Sequence, residues 1–370
     1  MKVVYLSNFF NHHQSALADK LYEKTNKDYF FVETQFLPEE KKALGYPQIE
    51  RPYVLNYYDN KEMVDALIME ADIVIHGEAP IAMVKKRLAA GKLTFHDNER
   101  RYKSWIKYLK WPIYTYNSLT LNKGYLLCAS AFASRDFGLS GMAEKKCFRW
   151  GYFTKVEELK NRKYQTDDVV SIMWCSRFIH LKHPELPIKL AAILKIKGYR
   201  FKLDLFGDGN KLQATKSLAN KLKVDDVVTF HGSRQNDEIL KEMRNHDIFL
   251  FTSDQNEGWG AVLNESMSSG CAVVASHDIG AVPYLIKDGV NGMIYKSCDV
   301  NSLAEKTMFL MDNAAERIRM GKEAYRTMSE MWNAEIASRN LLTLAESLLK
   351  NEKIIISDGP CSPSPRCNHR

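Results

Sequence analysis

The 370-residue chain contains no uninterrupted apolar run near the ~18 residues that a membrane-spanning helix requires, so no span is expected. The opening MKVVYLSNFF lacks a long apolar core and a small-residue cleavage site; it reads as a β-strand and not as a signal peptide. Cysteine is sparse and odd in number, at seven, with five scattered singly through regular elements. That usage fits a reducing cytoplasm better than a disulfide framework. Cys361 and Cys367 lie in the tail GPCSPSPRCNHR beside His369, without zinc-ligand spacing. No G-x-G-x-x-G follows an opening strand, which argues against a dinucleotide-dependent dehydrogenase. No basic stripe with interleaved aromatics marks a nucleic-acid path, and no Asp-x-Asp pair offers a simple metal clasp.

What is present is a globular composition, 45% hydrophobic and 26% charged, with a net charge of +7. The cations are distributed, as in Lys85-Lys86-Arg87 and Arg100-Arg101. Such a balance suits phosphate-bearing substrates and rest on an anionic membrane leaflet, although a solvated lysine-rich surface explains it equally well. Short apolar strands alternate with helical periodicity along the whole chain, which predicts parallel β-α-β units and doubly wound sheets. The polar, charged stretch YFTKVEELKNRKYQTDD interrupts this grammar. We therefore expect a Rossmann-like domain over residues 1–152, a linker over 153–168 and a second Rossmann-like domain over 169–331. A C-terminal helix over 332–352 and a disordered tail over 353–370 complete the expectation.

The most informative segment is NEGWGAVLNESMSSG, residues 256–270. Gly258 and Gly260 form a flexible turn after a predicted strand, and a helix follows that ends at Gly270. Glu257 then lies in the loop at the strand's carboxyl end, and Glu265 about two turns along the helix. The amides from Gly258 through Trp259, Gly260 and Ala261 to Val262 suit an anion such as phosphate. A helix cap and a surface charge account for the two carboxylates equally well from spacing alone. Arg177 and Lys182, in CSRFIHLKHPE after another strand, add a planar fork and a point charge for phosphate oxygens. Gly207 and Gly209 in FGDGN add a tight turn at the end of the next strand.

Together these residues, with VTFHGS before Arg234, the Gly280-Ala281-Val282-Pro283 turn and DGVNG, resemble the retaining glycosyltransferases of family 4. The resemblance covers roughly Val169 to Tyr295. It implies the GT-B architecture, two facing Rossmann-like doubly wound domains with a cleft between them. It further implies that Arg177 and Lys182 neutralise a donor diphosphate and Glu265 binds ribose hydroxyls. Glu257 would face the donor sugar together with the amides of Gly258 to Ala261. No cofactor and no obligatory metal are implied. Two departures stand out: Asn8-Phe9-Phe10-Asn11-His12-His13 replaces the glycines common after the family's first strand, and Tyr284 stands where Glu often follows the proline turn.

The implied reaction moves a sugar from a UDP- or GDP-sugar to a saccharide or lipid-linked acceptor in polysaccharide assembly, at the cytoplasmic face of a membrane. In the family the first domain holds the acceptor. Candidates there are His12, His13, His76 and His96, although for each a hydrogen-bonded structural histidine is the commoner case. His96 with Asp97, Glu99 and Arg100 is the preferred cluster, since four polar groups crowd one strand end. Trp105, Tyr108, Trp111, Tyr114 and Tyr116 suit an acceptor sugar or a lipid interface, but core and helix packing is the commoner use of such residues and the preferred reading. A GT-B-shaped epimerase using Asp97 and Glu99, or a non-catalytic nucleotide-sugar-binding partner, is the alternative.

Overall fold

The computed structural model describes residues 1–38, 49–99, 124–139, 141–159, 162 and 169–367. Arg100, the aromatic run from Trp105 to Tyr116, and His369 lie outside the described residues. The chain divides into two compact units, Met1–Lys155 with Met331–Arg370, and Val156–Glu330.

The first unit is built on seven parallel strands: β1 (Val3–Ser7), β2 (Tyr29–Glu33), β3 (Val54–Asn56), β4 (Ile73–His76), β5 (Thr94–Asn98), β6 (Gly124–Cys128) and β7 (Cys147–Arg149). Their order is β3-β2-β1-β4-β5-β6-β7. Every residue of β1 and β4 is buried. Both faces of a parallel sheet are covered by helices, so its central strands read as continuous apolar runs. β3 went unpredicted because it is three residues long and only half-buried.

The apolar period of the first helix predicts Ser15–Lys24; the helix starts earlier, at His12, and runs to Lys24. Asn11 caps it: Asn11 Oδ1 accepts from the His13 amide at 2.9 Å, and Gln14 Oε1 accepts from the Asn11 amide at 3.2 Å. The helix Ala334–Lys350 belongs to this unit and meets the first helix, where Lys24 Nζ lies 2.5 Å from Glu335 Oε1. Arg87, read from sequence as surface charge, is fully buried and donates to the carbonyls of Ile68, Ala71, Asp72 and Leu93.

The second unit has six parallel strands: β8 (Val170–Cys175), β9 (Phe201–Phe206), β10 (Val228–Gly232), β11 (Ile248–Phe251), β12 (Ala272–Ser276) and β13 (Met293–Tyr295), in the order β10-β9-β8-β11-β12-β13. Its core gathers Trp174, Leu190, Leu205, Leu250, Val274 and Leu310, all at most 1% exposed.

Two boundaries differ from the sequence reading. The division between units falls at Val156, near the start of the expected linker. Arg162, inside that linker, donates to the carbonyls of Met243, His246 and Ser269 at 2.6–3.0 Å, which anchors it to the second unit. The expected disordered tail is ordered over the described part. Its Cys361 amide donates to Arg149 O at 2.7 Å, Arg149 N to Ser362 O at 2.8 Å, and Ser364 N to Cys147 O at 2.9 Å. The Phe148–Pro363 bridge is antiparallel, so the tail closes the β7 edge. Main-chain pairing of a proline-rich segment leaves no trace in its composition.

Candidate functional site

In the second sheet the strand order reverses between β8 and β11, and the loops following these neighbours lie at a topological switch point, where open α/β sheets bind ligands. After β8 the chain passes Ser176, the exposed Arg177 and a 3₁₀ turn over His180–Lys182. Lys182 Nζ reaches the Glu257 carboxylate, and the two side chains are only 10% and 13% exposed. A buried chain fixes the lysine's backbone: Trp174 Nε1 donates to Thr252 Oγ1 at 2.8 Å, and that hydroxyl donates to Lys182 O at 2.7 Å. Among the described residues the Arg177 side chain makes no hydrogen bond or ion pair within the protein.

The FGDGN turn after β9 is threaded against this loop. Phe178 N donates to Asp208 O, and Lys211 N to Phe178 O, both at 2.8 Å. Gly207, at φ +124°, leaves room for the Ser176 carbonyl, which a Cβ would meet at 1.9 Å. Gly209, at φ +148°, admits the Phe178 carbonyl, which a Cβ would meet at 2.5 Å. The expected role of these glycines is thereby given a geometry: they bring main chain against main chain behind Arg177.

After β11, the Glu257 amide donates to Asp254 O at 3.0 Å, and Gly260 turns the chain with φ +89° into the helix Ala261–Ser268. A Cβ on Gly260 would strike the Phe251 ring at 2.3 Å. No side chain caps this helix, and the amides of Ala261 and Val262 have no acceptor within it. Trp259 is fully buried, its indole donating to Asn264 Oδ1 at 2.8 Å, which pins the turn from inside. Glu265 is 8% exposed and accepts from Asn236 Nδ2 at 2.9 Å. Burial pushes its carboxyl up to about 7, against the opposing effect of Asn236. Asn236 was missed in the sequence because its partner is 29 residues away on another helix.

In the first unit the order reverses between β1 and β4, and Asn8 Nδ2 spans their ends to Glu78 Oε2 at 2.6 Å. The candidate histidines divide into two groups. His76 and His96 are buried, 6% and 3% exposed, with their Nδ1 atoms 3.2 Å apart across the β4–β5 pairing. Asp97 projects from the other face of β5, as the alternation of a strand requires. Tyr5 OH donates to its carboxylate, and Trp150 Nε1 donates to it at 3.2 Å.

The expected single cluster of His96, Asp97 and Glu99 is thus split by the sheet. Burial raises the Asp97 carboxyl to about 7. Glu99 accepts from Tyr152 OH at 2.5 Å, and Tyr152 stacks on His13 at 5.8 Å between centroids, with His12 a further 3.9 Å from His13. Burial holds the His12 imidazole below its usual range. The structure therefore groups His12 and His13 with Tyr152 and Glu99, and His76 with His96. Tyr5, Trp150 and Tyr152 were invisible as partners because they act across 53–92 residues of sequence.

Residues 156–327, nearly all of the second unit, match the model of the family described as glycosyl transferases group 1. Among curated relatives, N-acetyl-alpha-D-glucosaminyl L-malate synthase of Bacillus anthracis is 27% identical over 152 residues, 41% of this chain and 39% of that protein. The amylovoran biosynthesis glycosyltransferase AmsK of Erwinia amylovora is 26% identical over 196 residues, 52% of this chain and 47% of that protein. The chain therefore spans less than half the length of these relatives. Among solved structures, Anabaena HepE in complex with UDP aligns with a TM-score of 0.72 at 15% identity, covering 94% of this chain and 100% of its own. At that identity the likeness shows the fold, which is GT-B.

Proposed function

We propose that the chain is a retaining glycosyltransferase that moves a sugar from a UDP- or GDP-sugar to a saccharide or lipid-linked acceptor in polysaccharide biosynthesis. The observation that carries this reading is the buried Lys182–Glu257 pair at the β8/β11 switch point, set between Arg177 and an uncapped helix start. Arg177 and Lys182 would receive the diphosphate, the amides of Ala261 and Val262 its remaining charge, and Glu265 the ribose hydroxyls. AmsK supports a polysaccharide role, and HepE, solved with UDP, supports a nucleotide diphosphate.

In the proposed step the bond from the anomeric carbon to the diphosphate oxygen breaks and a bond to the acceptor oxygen forms on the same face. The acceptor proton passes to the departing diphosphate, whose growing charge Arg177 and Lys182 stabilise. Glu257 orients Lys182 and is not assigned as a nucleophile. An epimerase would need Asp97 and Glu99 available as acid and base, yet Tyr5, Trp150 and Tyr152 already engage them.

The test is a thermal-shift panel of UDP, GDP, ADP and their sugar conjugates, with and without added Mg²⁺. One nucleotide class should raise the melting temperature independently of Mg²⁺, and Arg177→Ala should abolish the rise. Absence of any shift at millimolar nucleotide would refute the donor-site assignment.

A further inference from the structure

Behind the donor loops lies a second constellation, which the reading above leaves unused. One ligand-type atom from each of His180, His183 and Asp254 lies within 4.8 Å of the other two. His183 Nε2 is 3.0 Å from Asp254 Oδ2 and 3.7 Å from Cys298 Sγ. The His180 ring meets the His183 ring edge-on at 5.5 Å between centroids. Metal–ligand bonds of about 2.0–2.3 Å place tetrahedral ligands about 3.3–3.8 Å apart. The His183–Asp254 and His183–Cys298 separations need shifts of only a few tenths of an ångström, and the exposed His180 needs at most about 1 Å.

Two features orient the group in advance. His183 Nδ1 lies 2.9 Å from Glu185 Oε1. A carboxylate on Nδ1 keeps a proton there, so that a cation would displace only the Nε2 proton now shared with Asp254 Oδ2 and bind at Nε2, the arrangement that accompanies most metal-bound histidines. Asp254 is held similarly: its Oδ1 accepts from the Asn256 amide at 2.8 Å and from Asn256 Nδ2 at 3.0 Å, which leaves Oδ2 toward His183. His183 ends the His180–Lys182 turn in the left-handed region, at φ +47°, with its amide donating to His180 O at 3.1 Å.

We propose that His180, His183 and Asp254 bind one divalent cation of the zinc class, with Glu185 as the positioning carboxylate and Cys298 flanking the open side. Two imidazoles, one carboxylate and a nearby thiol select a borderline-soft ion over Mg²⁺ or Ca²⁺, which take oxygen ligands. The ion does not enter the sugar-transfer chemistry. It clamps two loops: Asp254 N donates to Leu181 O at 3.0 Å, and Asp254 O accepts from the Glu257 amide at 3.0 Å. A bond from Asp254 to His180 and His183 therefore braces the turn bearing Lys182 against the loop bearing Glu257.

The experiment uses the full chain stripped of metal and titrated with Zn²⁺, Mg²⁺ and Ca²⁺ by calorimetry, with Co²⁺ as the spectroscopic probe. One Zn²⁺ per chain is expected, without comparable Mg²⁺ or Ca²⁺ binding, and tetrahedral visible bands are expected for Co²⁺. His180 and Cys298 are exposed, so His180→Ala/Cys298→Ser spares the core; the stripped variant should melt with the stripped wild type. Its Zn²⁺ affinity should fall by about tenfold or more, and Glu185→Ala should lower affinity by about 10–100-fold with stoichiometry kept. Failure of the wild type to bind Zn²⁺ overturns the proposal. So does wild-type affinity in the double variant, which would locate the ion elsewhere.

Discussion

Replacing Gly207 by alanine tests whether the main-chain contact behind Arg177 is what shapes the proposed donor loop. A Cβ at this position would lie 1.9 Å from the Ser176 carbonyl oxygen, about 1.1 Å inside the 3.0 Å that real Cβ atoms respect. The obstructing atom is backbone, so no rotamer relieves it. The φ of +124° adds about 1–2 kcal/mol of conformational strain, and forced displacement of a packed segment adds about 1–3 kcal/mol. A total near 3 kcal/mol corresponds to a fall in melting temperature of about 6–12 °C for a unit of this size. Gly289 supplies the control: its φ is +75°, and a Cβ there would meet nothing within 4 Å. Gly289→Ala should therefore cost about 1 kcal/mol, or about 2–4 °C. The assay is thermal unfolding of both variants, followed by nucleotide titration at a temperature where both are folded. Gly207→Ala should weaken nucleotide diphosphate binding as well, whereas Gly289→Ala should leave it unchanged. Equal melting shifts for the two variants would refute the close-approach argument.

Lys182→Met leaves the Glu257 carboxylate buried without its cation and should destabilise the protein by about 3–5 kcal/mol in denaturant titrations; Lys182→Met/Glu257→Gln should recover at least half of that loss. Glu265 titrates near 7 in the folded state, above its unfolded value near 4.5, so its contribution is fully present below pH 4.5 and lost as pH rises through 7. Glu265→Gln should accordingly gain about 3 kcal/mol relative to wild type at pH 8 and about nothing at pH 4.5, read from unfolding curves at both values. Deleting residues 359–367 removes the three main-chain hydrogen bonds to Cys147 and Arg149 and should lower the first unit's stability by about 2–4 kcal/mol. The same deletion should speed thiol labelling of the buried Cys147, measured with an aromatic disulfide reagent.

The fold was legible because parallel strands buried on both faces are spelled as continuous apolar runs, as in VVYLS and IFLF, with helices between them. The turn and helix of the proposed donor site were legible for a different reason: EGWGAVLNE compresses turn, helix start and carboxylates into nine residues. What escaped depends on long-range neighbours. The pairing of Tyr5 with Asp97 spans 92 residues, and that of Asn236 with Glu265 spans 29, and no local pattern encodes either. His96 and Asp97 look like one cluster when written side by side, yet the two-residue period of a strand sends them to opposite faces. Asn11 disguised the first helix start, because the apolar period begins only after the capping turn. The tail was misread since a segment rich in serine and proline is ordered by its backbone, through the edge of β7.

The first unit is discontinuous in the chain, and this sets an order of events during biosynthesis. Residues up to Lys155 supply its seven strands, but the helix Ala334–Lys350 and the segment that seals β7 leave the ribosome only after all of Val156–Glu330. At about 5–20 residues per second, that interval lasts roughly 10–40 s. Throughout it the nascent sheet carries an open β7 edge and an uncovered first helix, the surfaces on which strand-to-strand aggregation begins. The intervening unit, continuous in sequence, can complete its own core meanwhile. A nascent chain stalled near Glu330 should therefore hold a protease-resistant second unit beside a first unit that still engages chaperones.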